Sequence, residues 1–241
     1  MTKYCKGCGA KLQNDDKDAI GYVPTLDASY CERCFRIRHY GDVTISMAQK
    51  IESNQTLDKI AKVKGVIFWV VDLFAFESNM ISRLNQKLDT DEIVLVLTKR
   101  DVLPKTLSDK KILEFVNRRL DEEGIKVKDI VICGYLLKHN EQSKACIDEI
   151  YSKIQMYRKG RDIVFMGVAN AGKSTILNQL LAMEDLTTSR HPGTTLDLVP
   201  IEQDGYTIYD TPGIENHHSV LTFLNSKDLK MVIPTKPIKP F

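Results

Sequence analysis

The sequence predicts an α/β fold in which a mixed sheet of six strands carries helices on both faces, preceded by a small N-terminal module. Apolar runs of strand length alternate with stretches of helical periodicity from about residue 51 onward, which indicates strands joined by crossover helices. A glycine-rich loop at 167–174 joins one such run to a helix. Two spaced pairs of cysteines lie before this region and predict the separate module.

Composition limits the class of protein. The chain has 241 residues, a near-average apolar content and a net charge of +2, as expected for a globular protein with one ordinary domain and a small module. No apolar run is long enough to span a membrane, and the first residues contain no apolar signal segment. We therefore expect a cytoplasmic, reducing location, where cysteines are more often metal ligands than disulfide partners.

The N-terminal module contains two Cys-x-x-Cys pairs, formed by Cys5, Cys8, Cys31 and Cys34. Two such pairs in a short segment predict a structural zinc site with four thiolate ligands. The module is too small to bury a sufficient core, so zinc would supply its folding free energy. The alternative is four unrelated buried cysteines. The two remaining cysteines, Cys133 and Cys146, are expected to be small core residues.

Basic and aromatic residues interleave around the second cysteine pair, at Arg33 and over 35–40. That composition can bind a phosphate backbone and stack on unpaired bases, which indicates RNA. The alternative is a solvated face with a few aromatic rings packed on the metal site. The small net charge gives little support to a large basic patch, so both interpretations stay open.

The first part of the α/β region begins with a short helix predicted over 54–64 and ended by Gly65. The continuous apolar run 66–71 is typical of a strand covered on both faces. Asp72 ends that strand, where an aspartate is either functional or a cap on the next turn. A helix is predicted next, over 79–88.

The later elements alternate in the same way. Helices are predicted over 107–120, with Ser108 as the N-cap, and over 145–157; strands are predicted over 93–97, 130–132 and 161–166. The last two strands, 195–201 and 206–209, are predicted to pair as an antiparallel hairpin. The sheet is therefore expected to be mixed, with one antiparallel edge strand.

The glycine-rich loop fits the P-loop pattern G-x-x-x-x-G-K-[ST], and its strand and helix supply the context that supports the match. The glycines let several backbone N–H groups face phosphate oxygens. Lys173 would bridge the β- and γ-phosphates, and the Ser174 hydroxyl would bind Mg²⁺. The predicted nucleotide contacts are Gly167, Asn170, Ala171, Gly172, Lys173, Ser174 and Thr175. The alternative is a chance glycine-rich turn.

Two short segments select the base and complete the magnesium site. Thr98-Lys99-Arg100-Asp101 resembles N-K-x-D, the guanine-reading motif of GTPases. Asp101 would accept hydrogen bonds from guanine N1 and N2 while the Lys99 stem lies on the base; adenine lacks that donor pair and would leave the carboxylate unpaired. Asp210-Thr211-Pro212-Gly213 matches D-x-x-G, whose aspartate holds Mg²⁺ and whose glycine senses the γ-phosphate.

In this chain the guanine motif precedes the P-loop, whereas most GTPases have the reverse order. This is the order of circularly permuted GTPases, in which a fold is cut at a surface loop and its old ends are joined. Together with the cysteine module, the chain resembles the YqeH family of bacterial circularly permuted GTPases. The resemblance implies a GTP-binding protein of small ribosomal subunit assembly, with that subunit or its RNA and proteins as partners.

The resemblance also assigns further residues. Cys133 and Gly134 stand where a backbone N–H of the family's S-A-[KL] loop meets the guanine oxygen, although the side chains depart from that pattern. The segment 191–197 resembles the P-G-T-T switch, in which we favour Thr195 over Thr194 as the Mg²⁺ ligand. Family members continue into a further C-terminal domain, whereas here the chain ends in a Pro- and Lys-containing tail expected to be extended.

Two residues bear on hydrolysis. Ras-like enzymes place a water-orienting glutamine directly after D-x-x-G, where this chain has Ile214. We therefore expect slow hydrolysis, unless His217 or His218 supplies the missing polarity. Asn170 matches the asparagine that coordinates K⁺ in several GTPases with such an apolar substitution, and K⁺ there would neutralise developing charge. The alternative for Asn170 is a plain loop residue.

The combined prediction is a zinc module over 1–50, a circularly permuted GTPase domain over 51–225 and an extended tail over 226–241. Its expected activity is slow, Mg²⁺-dependent GTP hydrolysis, with Lys173, Asn170 and Thr195 as catalytic residues. One rival is an ATP-using P-loop enzyme, favoured only by Thr98 in place of asparagine. The other is a zinc-dependent RNA-binding protein with a vestigial nucleotide site, which the intact P-loop opposes.

Overall fold

A computed structural model describes residues 3–5, 10–17, 19, 21–32, 34–35, 53–134, 136, 140–183 and 198–214. In this part of the chain a six-stranded sheet has the order β3-β2-β1-β4-β6-β5. The strands are β1 (Val66–Asp72), β2 (Ile93–Thr98), β3 (Asp129–Ile132), β4 (Ile163–Met166), β5 (Val199–Gln203) and β6 (Tyr206–Asp210). β5 alone among them runs antiparallel to its neighbour, which confirms the predicted mixed sheet.

The helices lie between these strands in the chain. They are α1 (Ser53–Lys62), α2 (Phe76–Asn79), α3 (Leu84–Leu88), α4 (Asp109–Glu122), α5 (Glu141–Arg158) and α6 (Lys173–Met183), with a 3₁₀ turn over Arg100–Val102. Ser108 is the N-cap of α4, as predicted, since its side chain accepts a hydrogen bond from Lys111 N at 3.4 Å. No helix in the ranges given above has the length and hydropathy needed to cross a bilayer.

Helices cover both faces of the sheet because the central strands are apolar except at Asp72 and Thr98, which end β1 and β2. Every residue of β1 is buried, and its side chains alternate between two cores. Phe68 lies on the face covered by α5 and α6, where its ring packs on Phe165 with centroids 5.2 Å apart. Trp69 lies on the face covered by α1 to α4. The two faces thus hold β1 rigidly at the centre of the sheet.

One predicted helix is wrong. The segment 79–88 contains the end of α2 and the whole of α3 rather than one continuous helix. Met80 has an extended backbone and Arg83 a left-handed one, with φ of 56°. Asn79 accounts for the early end of α2: its side chain accepts from Asp72 N at 3.1 Å and donates to Ala75 O at 2.8 Å. These tertiary contacts outweigh the helical periodicity.

The expectation for Cys133 and Cys146 needs a correction. Both are buried core residues, as predicted, but their sulfur atoms form a disulfide. Cys133 directly follows β3 and Cys146 lies in the second turn of α5. The fold brings their Cα atoms to 5.5 Å, which is within the range that a disulfide requires. The bond therefore joins the end of β3 to α5.

Candidate nucleotide-binding site

The carboxyl ends of five parallel strands lie at one edge of the sheet, because β1, β2, β3, β4 and β6 share a direction. In open α/β sheets this edge is where ligands bind. The predicted motifs all follow these strands: the Thr98–Asp101 segment follows β2, Cys133-Gly134 follows β3, the P-loop follows β4, and Asp210 ends β6. The hydrogen bonds described below bring them into direct contact.

The P-loop turns tightly over the end of β1. Gly167 has φ of 154°, and a Cβ atom at this position would lie 2.2 Å from Val70 O, so glycine is required. Asn170 is exposed and left-handed, with φ of 64°, a conformation that asparagine tolerates better than most side chains. α6 begins at Lys173, and Ser174 and Thr175 lie in its first turn. Within the loop Ala171 N donates to Val168 O at 3.3 Å, and the positive φ angles of Gly167, Asn170 and Gly172 give the tight turn that the P-loop pattern predicts.

Lys173 is buried at the base of this loop, with 7% of its surface exposed. Its Nζ donates hydrogen bonds to Gly167 O at 2.9 Å and Val168 O at 3.1 Å. Burial lowers the pKa of Lys173 to about 8, while the negative charge of Asp210 acts in the opposite direction. A phosphate group beside Lys173 would favour its charged form. The lysine is thus placed to gain from an anionic ligand.

The D-x-x-G segment is fixed directly against the P-loop. Ile214 N donates to Gly167 O at 3.0 Å, and Ile214 pairs with Val168 as a parallel bridge. A Cβ atom on Gly213 would lie 2.8 Å from Ala169 Cα, so this contact also requires glycine. The Ile214 side chain is buried in the apolar core beside α1 to α4. It has no polar atom and its role is packing.

Thr98 connects the segment 98–101 to the P-loop; we call 98–101 the base-reading segment after its predicted role. It is almost completely buried, and its Oγ1 donates to Ala171 O at 2.6 Å and lies 3.3 Å from Val71 O. Its methyl carbon lies 3.4 Å from the position that a Cβ on Gly172 would occupy. The threonine that departs from the N-K-x-D pattern therefore bridges β2, β1 and the loop after β4.

The end of β3 packs on the same segment. Cys133 O accepts a hydrogen bond from Arg100 N at 2.9 Å. A Cβ on Gly134 would lie 3.1 Å from Asp101 N and 3.4 Å from Asp101 Oδ1, so the two predicted base contacts are neighbours. Arg100 Nε pairs with Asp109 Oδ1 at 2.6 Å. The segments that follow β2 and β3 are therefore in direct contact at this edge of the sheet.

Two residues at this edge escaped the sequence-based site. Asp72 forms an ion pair with Lys99 and also caps the following turn by accepting from Phe74 N at 2.8 Å. Asn79 in turn binds Asp72 N. The position of Asp72 at a strand end was a signal, but the sequence could not decide between a cap and a functional role. Both of its carboxylate oxygens are engaged, so it combines the cap with a contact to the base-reading segment.

Three of the four predicted zinc ligands lie together. The sulfur atoms of Cys5, Cys31 and Cys34 are buried and lie within 4.8 Å of one another. Cys31 N also donates to Cys5 Sγ at 3.2 Å. The apolar residues around them are few, mainly Ala10, Leu12 and Val23. This donor set fits a thiolate metal site in a module with a very small core.

Some predicted residues lie outside the described residues. They are Cys8, Arg33 and 36–40 of the basic and aromatic segment, Thr194 and Thr195 of the switch, His217 and His218, and the tail. Their assignments stay predictions.

Comparison with known proteins identifies related chains. Residues 162–236 match a family model described as a 50S ribosome-binding GTPase. The chain is 35% identical to the uncharacterized protein YqeH of Bacillus subtilis over 98% of this chain and 66% of that protein. It is 29% identical to a rice protein named putative nitric oxide synthase and 28% identical to the Arabidopsis NO-associated protein 1, over 98% of this chain in both cases.

The chain spans only 49% and 47% of the two plant proteins. Its similarity to YqeH, however, extends over the cysteine module and the sheet alike. The base-reading segment precedes the P-loop in the chain and contacts it in the fold. The chain is therefore a YqeH homologue and belongs to the circularly permuted GTPases.

Proposed function

We propose that this chain binds GTP and GDP with Mg²⁺ at the carboxyl edge of its sheet and hydrolyses GTP slowly. The observation that carries the proposal is the bond from Thr98 Oγ1 to Ala171 O, which places the base-reading segment against the P-loop. A single nucleotide could then contact both. The buried Lys173 also favours a functional site over a vestigial one, because an anionic ligand would stabilise its charge.

The proposed roles follow from the positions of the residues. Lys173 and the P-loop backbone would bind the phosphates, and Asp101 would accept from guanine N1 and N2. The backbone at Cys133-Gly134 would meet the guanine oxygen. Mg²⁺, which would offset phosphate charge, would be held by Ser174, Asp210 and Thr195; the complete burial of Asp210 supports its assignment, since a buried carboxylate is stabilised by a nearby cation.

Slow hydrolysis is proposed because the residue after D-x-x-G cannot orient water. Ile214 is apolar and packed in the core. Attack of water on the γ-phosphate would therefore depend on other groups in the site that stabilise the developing charge. We propose that Asn170 helps to hold K⁺ beside the phosphates, where the ion would offset transition-state charge. The exposed, left-handed Asn170 supports this, because its side chain is available at the loop surface.

The proposed partner is the small ribosomal subunit or its RNA and proteins. The zinc module, with Cys8 as the fourth ligand, would present the basic and aromatic segment after Cys34 to RNA. The matched family model is described by binding to the 50S particle instead, so the large subunit is the natural comparison. The proposed domain bounds stay at 1–50, 51–225 and 226–241.

Nucleotide-dependent pelleting tests this function. The protein is sedimented with purified small or large subunits in the presence of GDP, GTP or a non-hydrolysable GTP analogue. We expect co-sedimentation with small subunits that is strongest with the analogue. The Asp101→Asn variant is the control, because it should respond to the xanthine analogue and not to the guanine one. Equal pelleting in all nucleotide states, or a preference for large subunits, would contradict the proposal.

ATP competing equally with GTP for the protein would favour the rival ATP-using enzyme.

A further inference from the structure

Asp72 and Lys99 form an ion pair across the ends of the two neighbouring strands β1 and β2. The Asp72 side chain is 8% exposed and that of Lys99 is 23% exposed, so the pair is largely removed from water. The two carboxylate oxygens have separate partners: Oδ1 accepts from Phe74 N at 2.8 Å and Oδ2 accepts from Lys99 Nζ. One oxygen therefore shapes the turn and the other holds the lysine.

The surroundings keep the carboxylate in place. Asp72 lies in a strand that is buried along its whole length, and its backbone N–H donates to Asn79 Oδ1 at 3.1 Å. Lys99 has a left-handed backbone, with φ of 60° and ψ of 30°, which turns its side chain at the strand end. A lysine side chain has many rotamers to lose on ordering. An anion that holds the lysine in one orientation therefore reduces the conformational entropy that would be lost when a ligand binds against it.

We propose that Asp72 is a positioning residue that holds the Lys99 stem in place to pack on a purine ring. This inference deepens the proposed guanine-nucleotide binding and depends on it. It separates two functions within the base-reading segment. Asp101 would choose between bases through their hydrogen-bonding edges, whereas Asp72, acting through Lys99, would strengthen binding of any purine in the same site. Affinity and base selectivity should then respond to different substitutions.

The Asp72→Asn variant tests the role with little change in volume. The amide oxygen can still accept from Phe74 N, but the amide nitrogen is a donor and cannot hold an ammonium group. We expect GDP and IDP to bind about tenfold more weakly, a value in the range of coupling between contacting residues. The ratio of GDP to IDP affinity should stay unchanged, because Asp101 is intact. Fluorescence competition against a labelled GDP measures both values.

A second variant shows whether Asp72 acts through the lysine. Lys99→Ala alone should weaken both nucleotides, and Asp72→Asn added to it should cause no further loss. A purely structural Asp72 would instead give losses that multiply. The matched control is Asp109→Asn, which breaks the neighbouring pair with Arg100 at a residue whose side chain is 62% exposed. It should leave both affinities within twofold of the unmodified protein, as expected for an exposed pair.

A readout without nucleotide separates this inference from the proposed function. Lys99 can be acylated with a soluble amine-reactive ester, and mass spectrometry measures the rate. Acylation of Lys99 should be several times faster in Asp72→Asn than in the unmodified protein or in Asp109→Asn. Unchanged Lys99 reactivity, or unchanged GDP affinity in Asp72→Asn, would overturn the inference. If the unmodified protein binds no guanine nucleotide while Lys99 reactivity rises, the proposed function and the base contact both fail, and Asp72 is left as a structural partner of Lys99.

Discussion

Lys173 keeps an ammonium group in a position that is almost closed to water. Its hydrogen bonds go to two P-loop carbonyl oxygens, which solvate the charge only in part. The lowered pKa, about 8 against a usual 10.5, reflects this burial. In the folded protein without nucleotide the charged lysine is therefore a source of instability, and binding an anion would relieve it.

This burial predicts a pH dependence of stability. Between about pH 8 and 10.5 the unfolded chain holds a proton on Lys173 that the folded chain has lost, so this residue's contribution to the free energy of unfolding rises with pH. Below about pH 8 Lys173 is charged in both the folded and the unfolded chain, so the free energy by which it destabilises the fold does not change with pH. Urea unfolding without nucleotide measures the free energy of unfolding of the unmodified protein and of Lys173→Met. We expect the variant to be the more stable of the two at pH 7.5 and the difference to shrink as the pH rises to 10.5. A difference that does not change across this range would contradict the burial of the charge.

A second prediction at this scale concerns Asn170. If it holds K⁺ beside the phosphates, exchanging Na⁺ for K⁺ at equal ionic strength should accelerate hydrolysis, because general screening is the same for both salts. Loss of one charge-stabilising group typically costs about a hundredfold or more in rate. Asn170→Ala should abolish the K⁺ response while Mg²⁺·GTP still binds. Single-turnover hydrolysis measures the effect, and equal rates of the unmodified protein in the two salts would exclude it.

Among the elements, the join between β3 and α5 is reinforced covalently. The Cys133–Cys146 disulfide closes a loop with a sequence separation of 13. The Asn140 side chain caps α5 within that loop by accepting from Ser143 N at 3.0 Å. Gln179 of α6 also contacts the region, since its side chain accepts from Ser143 Oγ at 2.7 Å. The loop that leaves the carboxyl end of β3 is thus fixed at both ends.

Reduction of this disulfide should lower stability measurably. Cross-linking a loop of this length stabilises a protein by about 3 kcal/mol in the chain-entropy model. We expect a phosphine reductant, which competes for zinc less than a dithiol does, to reduce the free energy of unfolding by roughly that amount at constant pH. The Cys146→Ala variant is the control, because the reductant should not affect it. Chemical denaturation with and without reductant measures the difference, and no shift in the unmodified protein would show that the thiols are unpaired in solution.

The strands were predictable from sequence, but several contacts between elements were not. The apolar run that predicts β1 over 66–71 differs from the observed strand by a single residue. A strand buried on both faces needs apolar residues at consecutive positions, and this pattern is visible in the sequence. The interruption between α2 and α3 was missed, since it depends on Asn79 accepting a hydrogen bond from the backbone N–H of Asp72 in β1. The positions of the predicted motifs at the carboxyl ends of β2, β3, β4 and β6 could also be predicted, because each motif directly follows an apolar run in the sequence. The Asp72–Lys99 pair and the disulfide do not, because they join residues that approach only in the folded sheet.

At the scale of the molecule, the thiol cluster predicts a module that depends on metal. The core around Cys5, Cys31 and Cys34 is too small to fold without further stabilisation. Cys31→Ser should therefore release zinc and unfold the module while GDP binding stays measurable. Metal analysis and GDP titration of the same preparation test this. Loss of GDP binding together with zinc would show that the boundary near residue 50 is misplaced.

The strand order has a consequence for how the chain is synthesised. β1 is the first strand to be made and lies at the centre of the sheet, but its partner β4 begins about 90 residues later. At ordinary translation rates of about 5–20 residues per second, one edge of this strand, which is apolar up to Asp72, waits several seconds or more for its neighbour. The segment 98–101 is likewise complete before the P-loop is made. The proposed nucleotide would contact both segments, so it could stabilise only a chain that has been translated past β6. The free edge of β1 is exposed until β4 is made, and over that time it is the point at which a nascent chain is open to chaperones or to aggregation.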